Sequence, residues 1–280
     1  MPESTRAAPW ACRCCRWAPQ WKWTRSLLYG LLDRWRAPAP AADKVAWLGE
    51  GTYAHRGLHG PGVPENSPTA FAYAMAAGIG IECDIQRSAD NRAMVFHDWE
   101  LERLTGQAGR TDARKAAELN ALTLLDSGDR IPTLAQLLEQ VGGKVPLLIE
   151  IKSVAERRPG PACLAVRREL DGYTGPHAVM SFDPRVARWF AKHSPRTLRG
   201  LVVSEEGKKT LRGSWERHSS LWHAKPHFLA YDVRDLPSAF AAAQRARGLP
   251  VLTWTVRSAE LSAVAAAHAD APIAEHEGLA

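Results

Sequence analysis

Short apolar segments alternate with amphipathic ones from Thr52 onward, and this pattern predicts a series of strand and helix units. Strands that alternate with helices form parallel sheets, and a chain of 280 residues can bury the core of one large domain. We therefore expect an eight-stranded α/β barrel with one additional strand. The nine predicted strands are 52–54, 79–85, 93–97, 146–152, 178–182, 198–204, 228–233, 251–256 and 272–275.

Residues suited to helix capping mark the start of two predicted helices. Ser67 stands directly before Pro68, which is a common arrangement of N-cap and first helical residue. Thr133 and Gln136 have the spacing of a capping box. Both signals fall between predicted strands, so they agree with the alternation of strands and helices.

Acidic residues lie on the inward face of two predicted strands. Glu82 and Asp84 alternate with apolar residues in the second strand, as Glu150 and Lys152 do in the fourth. An unpaired carboxylate in a barrel interior costs roughly several kcal/mol, and a divalent cation commonly offsets that cost. Three carboxylates without nearby thiolates favour Mg²⁺, Ca²⁺ or Mn²⁺ over zinc. Interior salt bridges with Arg56 or Lys152 are the alternative explanation.

Two histidines are predicted at strand ends. His55 follows the first strand, and His97 ends the third. In a parallel barrel the carboxyl ends of the strands form the mouth that holds the active site. Two imidazoles across one phosphate suit acid–base catalysis, and Arg56 and Lys152 supply positive charge for phosphate oxygens. The set predicts phosphodiester chemistry and leaves open which histidine is the acid.

The order of these motifs resembles the glycerophosphodiester phosphodiesterase family. The resemblance implies a TIM barrel, (β/α)8, which uses a divalent metal ion to hydrolyse glycerophosphodiesters to an alcohol and sn-glycerol 3-phosphate. The substrate would be a small molecule. The matching segments are His55-Arg56-Gly57, Pro64-Glu65-Asn66-Ser67, Glu82-Cys83-Asp84, His97-Asp98, Ile131-Pro132-Thr133-Leu134, Glu150-Ile151-Lys152 and Trp254-Thr255-Val256.

The resemblance implies a role for each matching position at the centre of the site. The residues that match the family's acid–base pair are His55 and His97. The residues that match its metal ligands are Glu82, Asp84 and Glu150, with Mg²⁺ or Ca²⁺ expected and Mn²⁺ as a further candidate.

The resemblance also implies roles around this centre. Arg56 and Lys152 match residues that face the phosphate. Glu65 and Asn66 match a loop in which contacts to the substrate or to the site residues are expected. Trp254 matches an aromatic residue at the wall of the site, although a tryptophan packed in the barrel would fit the sequence equally well.

Other functions fit the same barrel. The chain could have a lysophospholipase D or sphingomyelinase D-like activity at a membrane, or it could be an inactive module that binds head groups or metal.

One further detail of the phosphodiesterase reaction stays open in the sequence. The group that attacks the phosphorus could be water or the neighbouring glycerol hydroxyl. The resemblance is weakest at Ala274-Glu275, where the family usually has a Thr-Asp pair.

The net charge of +6 lies almost entirely in the N-terminal part of the chain. Residues 1–42 contain seven basic and two acidic residues, so an excess of only one positive charge remains for the rest. The predicted catalytic domain, 49–280, therefore shows no basic bias that would indicate nucleic-acid binding.

Residues 1–48 form a basic, tryptophan-rich extension that is expected to be helical or partly disordered. A helix over 20–36 would gather apolar side chains on one side, suited to docking on the barrel or to lying on a membrane surface. Docking or partial disorder is favoured. We expect a cytoplasmic protein, and peripheral attachment to a membrane is a further option. The small residues at 37–42 leave export as a less favoured alternative. The side chains gathered are Trp21, Leu28, Leu31, Leu32 and Trp35.

Overall fold

A computed structural model describes residues 28–125 and 127–279. Its strands form one sheet in the spatial order β1-β9-β8-β7-β6-β5-β4-β2-β3, and pairing of β1 with β2 closes eight parallel strands into a barrel. The predicted (β/α)8 architecture with one additional strand is confirmed. The strands are β1 (Tyr53–His55), β2 (Gly80–Arg87), β3 (Ala93–Val95), β4 (Leu147–Ile151), β5 (His177–Ser181), β6 (Leu198–Val203), β7 (Phe228–Asp232), β8 (Val251–Val256) and β9 (Ala271–Ala274).

Strand β3 is the additional strand, and it runs antiparallel to β2. The prediction that His97 ends a parallel barrel strand is therefore wrong, because β3 stops at Val95 and lies outside the closed barrel. The physical reason is that β2 and β3 form a hairpin, which sends the chain back toward the mouth. The Phe96 N–H donates to the Asp84 carbonyl at 2.9 Å, so His97 still arrives beside the inward-facing acids of β2.

Helices surround the barrel and begin at the residues that the sequence marks. The Ser67 hydroxyl accepts from the Ala70 N–H at 3.1 Å, and Thr133 with Gln136 forms the predicted capping box. The helices are α1 (28–36), α2 (Ala42–Val45), α3 (Pro68–Ala76), α4 (Glu102–Thr105), α5 (Ala116–Asn120), α6 (Leu134–Val141), α7 (Gly160–Glu169), α8 (Pro184–His193), α9 (Leu211–Ala224), α10 (Ala239–Ala246) and α11 (Ala259–His268).

The interior of the barrel is apolar at the end opposite the mouth. Val45 of α2 and Leu48 of the following 3-10 turn (Ala46–Gly49) pack against inward residues such as Leu148 and Leu252. The Tyr53 hydroxyl donates to the Leu48 carbonyl at 3.2 Å and fixes this closure to β1. Polar inward residues are thereby confined to the carboxyl ends of the strands, where the candidate site lies.

Helix α1 packs on α9 and α10 through a buried aspartate. Asp33 is only 1% exposed and accepts hydrogen bonds from three side chains: His218 Nδ1 at 2.9 Å, Trp222 Nε1 at 2.7 Å and Gln244 Nε2 at 2.8 Å. The Tyr29 ring stacks on the His218 ring with centroids 4.2 Å apart. A polar network, rather than an apolar stripe, therefore attaches this helix to the barrel.

The apolar side of α1 faces away from the barrel. Leu28, Leu31 and Trp35 are 56%, 68% and 73% exposed, and Leu32 is half-buried. Of the two uses that the sequence allows for this side, docking on the barrel or lying on a membrane surface, docking is not observed, because the helix docks through Tyr29 and Asp33. Trp21 and the rest of 1–27 lie outside the described residues. Among the described helices, none combines the length and apolar character needed to cross a bilayer.

Candidate active site

The register of three neighbouring strands brings the predicted site residues together. His55 of β1 lies opposite Glu82 of β2, and Asp84 of β2 lies opposite Glu150 of β4. Outward residues of the same strands, such as Ile81 and Cys83, pack against the helices. Strand alternation therefore explains why these polar side chains share the barrel interior.

Three carboxylates form a compact buried cluster. Oxygen atoms of Glu82, Asp84 and Glu150 lie within 4.8 Å of one another. Burial, together with the charges of Asp84 and Glu150, raises the pKa of Glu82 well above its ordinary value. Glu82 accepts one hydrogen bond, from the Arg56 backbone N–H at 3.1 Å. The donor set is all oxygen and underpaired, so it fits a divalent cation such as Mg²⁺ or Ca²⁺.

Two cationic side chains adjoin this cluster. Lys152 Nζ lies 2.8 Å from Asp84 Oδ1 and 2.6 Å from Glu150 Oε1, and Arg56 Nε lies 3.1 Å from Asp84 Oδ2. Burial alone would raise the pKa of Asp84, but Lys152 and Arg56 hold it well below its ordinary value. The salt bridges predicted as an alternative to metal binding are thus present, but three acids share two cations and leave surplus negative charge.

A tight turn after β1 orients Arg56. Arg56 and Gly57 both have positive φ angles, +57° and +82°. A Cβ atom at Gly57 would lie 2.9 Å from the Cβ of Ala70 at the start of α3, so only glycine fits there. The Asn66 N–H donates to the Arg56 carbonyl at 2.9 Å and closes the loop.

Asn66 and Glu65 support the site residues from behind. The Asn66 amide donates to Asp84 Oδ2 at 2.9 Å, and its carbonyl oxygen accepts from the Asp84 N–H at 3.2 Å. Glu65 accepts from Arg56 at 2.8 Å and from Arg103 at 2.6 Å. Neither residue lines the cavity at the mouth. Of the two contacts expected for this loop, the structure therefore favours those to the site residues.

His55 is buried and paired with a carboxylate. Its Nδ1 lies 2.5 Å from Glu275 Oε2, and the residue is 9% exposed. Burial lowers the pKa of His55, and this effect outweighs the hydrogen bond to Glu275, which raises it. Burial of His55 therefore favours the uncharged imidazole.

His97 is more open and also has a carboxylate partner. Its Nδ1 lies 2.6 Å from Asp98 Oδ1, and its side chain is 31% exposed. Arg103 Nε donates to Asp98 Oδ2 at 2.5 Å. The Gln86 amide donates to the His97 carbonyl at 3.0 Å and anchors the segment to β2.

The two histidines line one cavity of about 360 Å³ at the mouth. Trp254 forms part of its wall, with Nε1 donating to the Ala230 carbonyl at 2.9 Å and its ring edge-on to Phe182, centroids 5.3 Å apart. Trp254 is therefore both a wall residue and a packed barrel residue. Predicted site residues on the cavity lining are His55, Arg56, Glu82, His97, Glu150, Lys152 and Trp254.

Sequence reasoning assigned no role to three residues of the site. Glu275 contacts His55, Arg103 joins Glu65 to Asp98, and Phe182 adds a second aromatic ring to the wall. A signal for Glu275 was present: it follows the last strand, which adjoins the first strand in any closed barrel. Nothing local to Arg103 or Phe182 marks them.

Solved structures resemble the chain over most of its length. A phosphodiesterase of Oleispira antarctica, solved in complex with the product sn-glycerol-3-phosphate, aligns with a TM-score of 0.72 at 24% identity, covering 82% of this chain and 94% of that chain. A glycerophosphodiester phosphodiesterase of Thermotoga maritima gives 0.65 at 25% identity, covering 80% and 93%. Both support the barrel fold.

Sequence comparisons point to one family. A glycerophosphodiester phosphodiesterase of Caldanaerobacter subterraneus subsp. tengcongensis is 39% identical over 118 residues, which are 38% of this chain and 47% of that protein. The protein YhdW of Bacillus subtilis (strain 168), which is provisionally named a glycerophosphodiester phosphodiesterase, is 26% identical over 233 residues. These are 75% of this chain and 87% of that protein. The profile of the glycerophosphoryl diester phosphodiesterase family matches residues 55–273. The chain belongs to the glycerophosphoryl diester phosphodiesterase family.

Proposed function

We propose that this protein hydrolyses glycerophosphodiesters to an alcohol and sn-glycerol 3-phosphate, in phospholipid and glycerol metabolism. The observation that carries the proposal is the cavity that joins two histidines to a buried cluster of three carboxylates and two cations. The product bound to the Oleispira antarctica neighbour supports a substrate of this class.

In this proposal His55 and His97 exchange protons with the reacting oxygens. One imidazole accepts the proton of the attacking hydroxyl or water, and the other donates a proton to the leaving alkoxide. Arg56 and Lys152 line the cavity and hold the phosphate through its non-bridging oxygens. Trp254 shapes the wall that receives the rest of the substrate.

We further propose that Glu82, Asp84 and Glu150 hold a divalent cation, Mg²⁺ or Ca²⁺, with Mn²⁺ as a further candidate. A cation bound there would supply positive charge next to the phosphate oxygens. The raised pKa of Glu82 supports this assignment, since the carboxylate lacks sufficient positive charge from the protein. Asn66 holds Asp84 in place from behind the cluster.

The test is release of sn-glycerol 3-phosphate by the full chain from glycerophosphodiesters with choline, ethanolamine, inositol and glycerol head groups, each with Mg²⁺, Ca²⁺ or Mn²⁺. We expect His97→Ala to lower kcat by about 10²–10⁴-fold through loss of acid–base catalysis. His268→Ala, an exposed histidine outside the cavity, is the matched control. No release with any metal, or equal activity of His97→Ala and wild type, contradicts the proposal.

The exposed side of α1 favours a second candidate, a lysophospholipase D or sphingomyelinase D-like activity at a membrane. Leu28, Leu31 and Trp35 project outward, with Arg34 and Arg36 exposed on the same helix. Apolar and aromatic side chains flanked by arginines are typical of helices that bind anionic bilayers peripherally. We propose a cytoplasmic protein that contacts such a bilayer through this side.

Vesicle binding tests this second candidate. We expect wild type to sediment with vesicles that contain phosphatidylglycerol and less with pure phosphatidylcholine, and the double variant Leu31→Ala, Trp35→Ala to bind several-fold more weakly. Tyr73→Ala, which removes an exposed aromatic from α3, is the control. Lysolipid hydrolysis on the same vesicles separates activity from binding. Equal binding of both variants rules out contact through α1.

A further inference from the structure

Glu275 meets His55 at the mouth although 220 positions separate them in the sequence. Strand β9 pairs with β1, and Ala274 lies opposite Ala54 in the register. The residues that follow these two alanines therefore emerge side by side. Glu275 Oε2 lies 2.5 Å from His55 Nδ1, and the side chains are 9% and 11% exposed.

Further contacts fix the Glu275 carboxylate. Arg257 Nε donates to Oε1 at 2.5 Å, and His59 Nε2 lies 3.4 Å from Oε2. The Glu275 N–H donates to the Val256 carbonyl at 2.9 Å. Burial would raise the pKa of Glu275, but the hydrogen bonds from His55 and Arg257, with His59 close by, hold it well below its ordinary value. The carboxylate is therefore charged and can only accept hydrogen bonds.

We propose that Glu275 is a positioning residue for His55, which it holds in the tautomer that carries the proton on Nδ1 and leaves Nε2 to the cavity. Because the carboxylate cannot donate, the hydrogen of this contact belongs to Nδ1. The carboxylate also fixes the ring plane. This proposal rests on the proposed function for its catalytic consequence, whereas the tautomer can be measured without any turnover.

A metal ion is the competing explanation for this cluster. Donor atoms of His55, His59 and Glu275 lie within 4.8 Å of one another. The guanidinium of Arg257 already occupies one oxygen of the carboxylate, and a cation there would face its positive charge. The geometry points to an ion-paired positioning group rather than to a second metal site.

Variants of Glu275 test the proposal through kinetics. Glu275→Leu keeps the bulk but accepts no hydrogen bond, and we expect kcat to fall about 10–100-fold with KM changed little. Glu275→Asp keeps the charge on a shorter side chain and should recover part of the loss, as should Glu275→Gln, which keeps an acceptor. Glu277→Gln, an exposed carboxylate two residues later, is the matched control.

The imidazole ¹⁵N signals of His55, assigned by comparison with His55→Gln, test the tautomer directly. We expect a protonated Nδ1 and a bare Nε2 in wild type and in Glu275→Asp, and an Nε2-protonated form in Glu275→Leu. Thermal melting and metal content accompany each variant. If Glu275→Leu does not fold, Glu275→Gln and Glu275→Asp decide the question by the same two readouts.

Three results would overturn the proposal. The first is wild-type kcat in Glu275→Leu, the second is an unchanged His55 tautomer in that variant, and the third is loss of a tightly bound metal ion along with activity. If wild type hydrolyses no glycerophosphodiester, the proposed function fails, while the ¹⁵N signals still decide whether Glu275 sets the tautomer.

Discussion

Asp84 in the barrel mouth and Asp33 in helix α1 are both 1% exposed, yet their surroundings differ in kind. Asp33 accepts from one histidine, one tryptophan and one glutamine, and these donors satisfy it. Asp84 shares two cations with Glu82 and Glu150, and the group keeps surplus negative charge. Burial of an acid therefore does not by itself indicate a functional site. A functional site is indicated when several buried acids outnumber the cations that neutralise them.

The pKa directions follow the same division. Burial would raise the pKa of Asp33, but the hydrogen bonds from His218, Gln244 and Trp222 hold it below its ordinary value. In the mouth, burial and two like charges leave the pKa of Glu82 raised. The donors around Asp33 therefore favour its ionised form, whereas the surroundings of Glu82 disfavour ionisation.

The largest difference between the two regions is expected from Glu82→Gln. Removing a carboxylate that we propose as a metal ligand should lower kcat about 1,000-fold, which corresponds to about 4 kcal/mol. The same change replaces a buried carboxyl group, crowded by two like charges, with a neutral amide, so the free energy of unfolding should stay equal or rise. Steady-state kinetics and urea unfolding measure the two effects. A clear loss of stability would show that Glu82 is a structural acid like Asp33.

Asp33→Ala should give the opposite result. The change leaves two buried donors and one partly buried donor without an acceptor, and we expect the free energy of unfolding to fall by about 3 kcal/mol. The kcat of the folded variant should remain that of wild type, because Asp33 lies outside the cavity. Asp33→Asn retains one acceptor and should cost less. A decrease in kcat would mean that α1 influences the mouth.

Sequence patterns predict the acids of the barrel mouth but not the polar network around Asp33, for a physical reason. Period-two alternation within β2 and β4 is local, so it correctly placed Glu82, Asp84 and Glu150 inside the barrel. The partners of Asp33 lie 185, 189 and 211 positions away, and no local pattern indicates them.

The docking side of α1 and the direction of β3 could not be predicted from the sequence either, for related reasons. Apolar spacing is the only local signal in α1, and it does not indicate the side that docks, because a polar network around Asp33 sets the orientation of the helix. The sequence of β3 does not indicate its antiparallel direction, because alternation within a strand is the same whether its neighbour runs parallel or antiparallel.

Metal binding should depend on pH through the surplus charge of the mouth. Because the pKa of Glu82 is raised, protons compete with the cation, and below that pKa the apparent affinity should weaken about tenfold for each unit of falling pH. Above it the affinity should level off. Calorimetric titration with Mg²⁺ or Ca²⁺ in two buffers of different ionisation enthalpy measures both the affinity and the released protons. A pH-independent affinity without proton release would mean that Glu82 is already ionised.

A matched pair of amide deletions gives the smallest and most direct comparison of the two aspartates. Asn66 donates to Asp84 at 2.9 Å and has a positive φ of +55°, so Asn66→Gly removes the amide without backbone strain. Gln244 donates to Asp33 at 2.8 Å, and Gln244→Met removes that amide at similar length.

Each variant of this pair should act on a different quantity. Asn66→Gly frees the carboxylate of Asp84, a proposed metal ligand, and we expect metal affinity and kcat/KM to fall up to about tenfold. Gln244→Met should lower the free energy of unfolding by about 1 kcal/mol and leave kcat/KM unchanged. If both variants lowered stability alone, Asp84 would be held for the fold, as Asp33 is. If Asn66→Gly weakens metal binding, the amide of Asn66 holds Asp84 in place for the metal ion. The hydrogen bond would then serve the site at the mouth, whereas the one from Gln244 to Asp33 serves the fold.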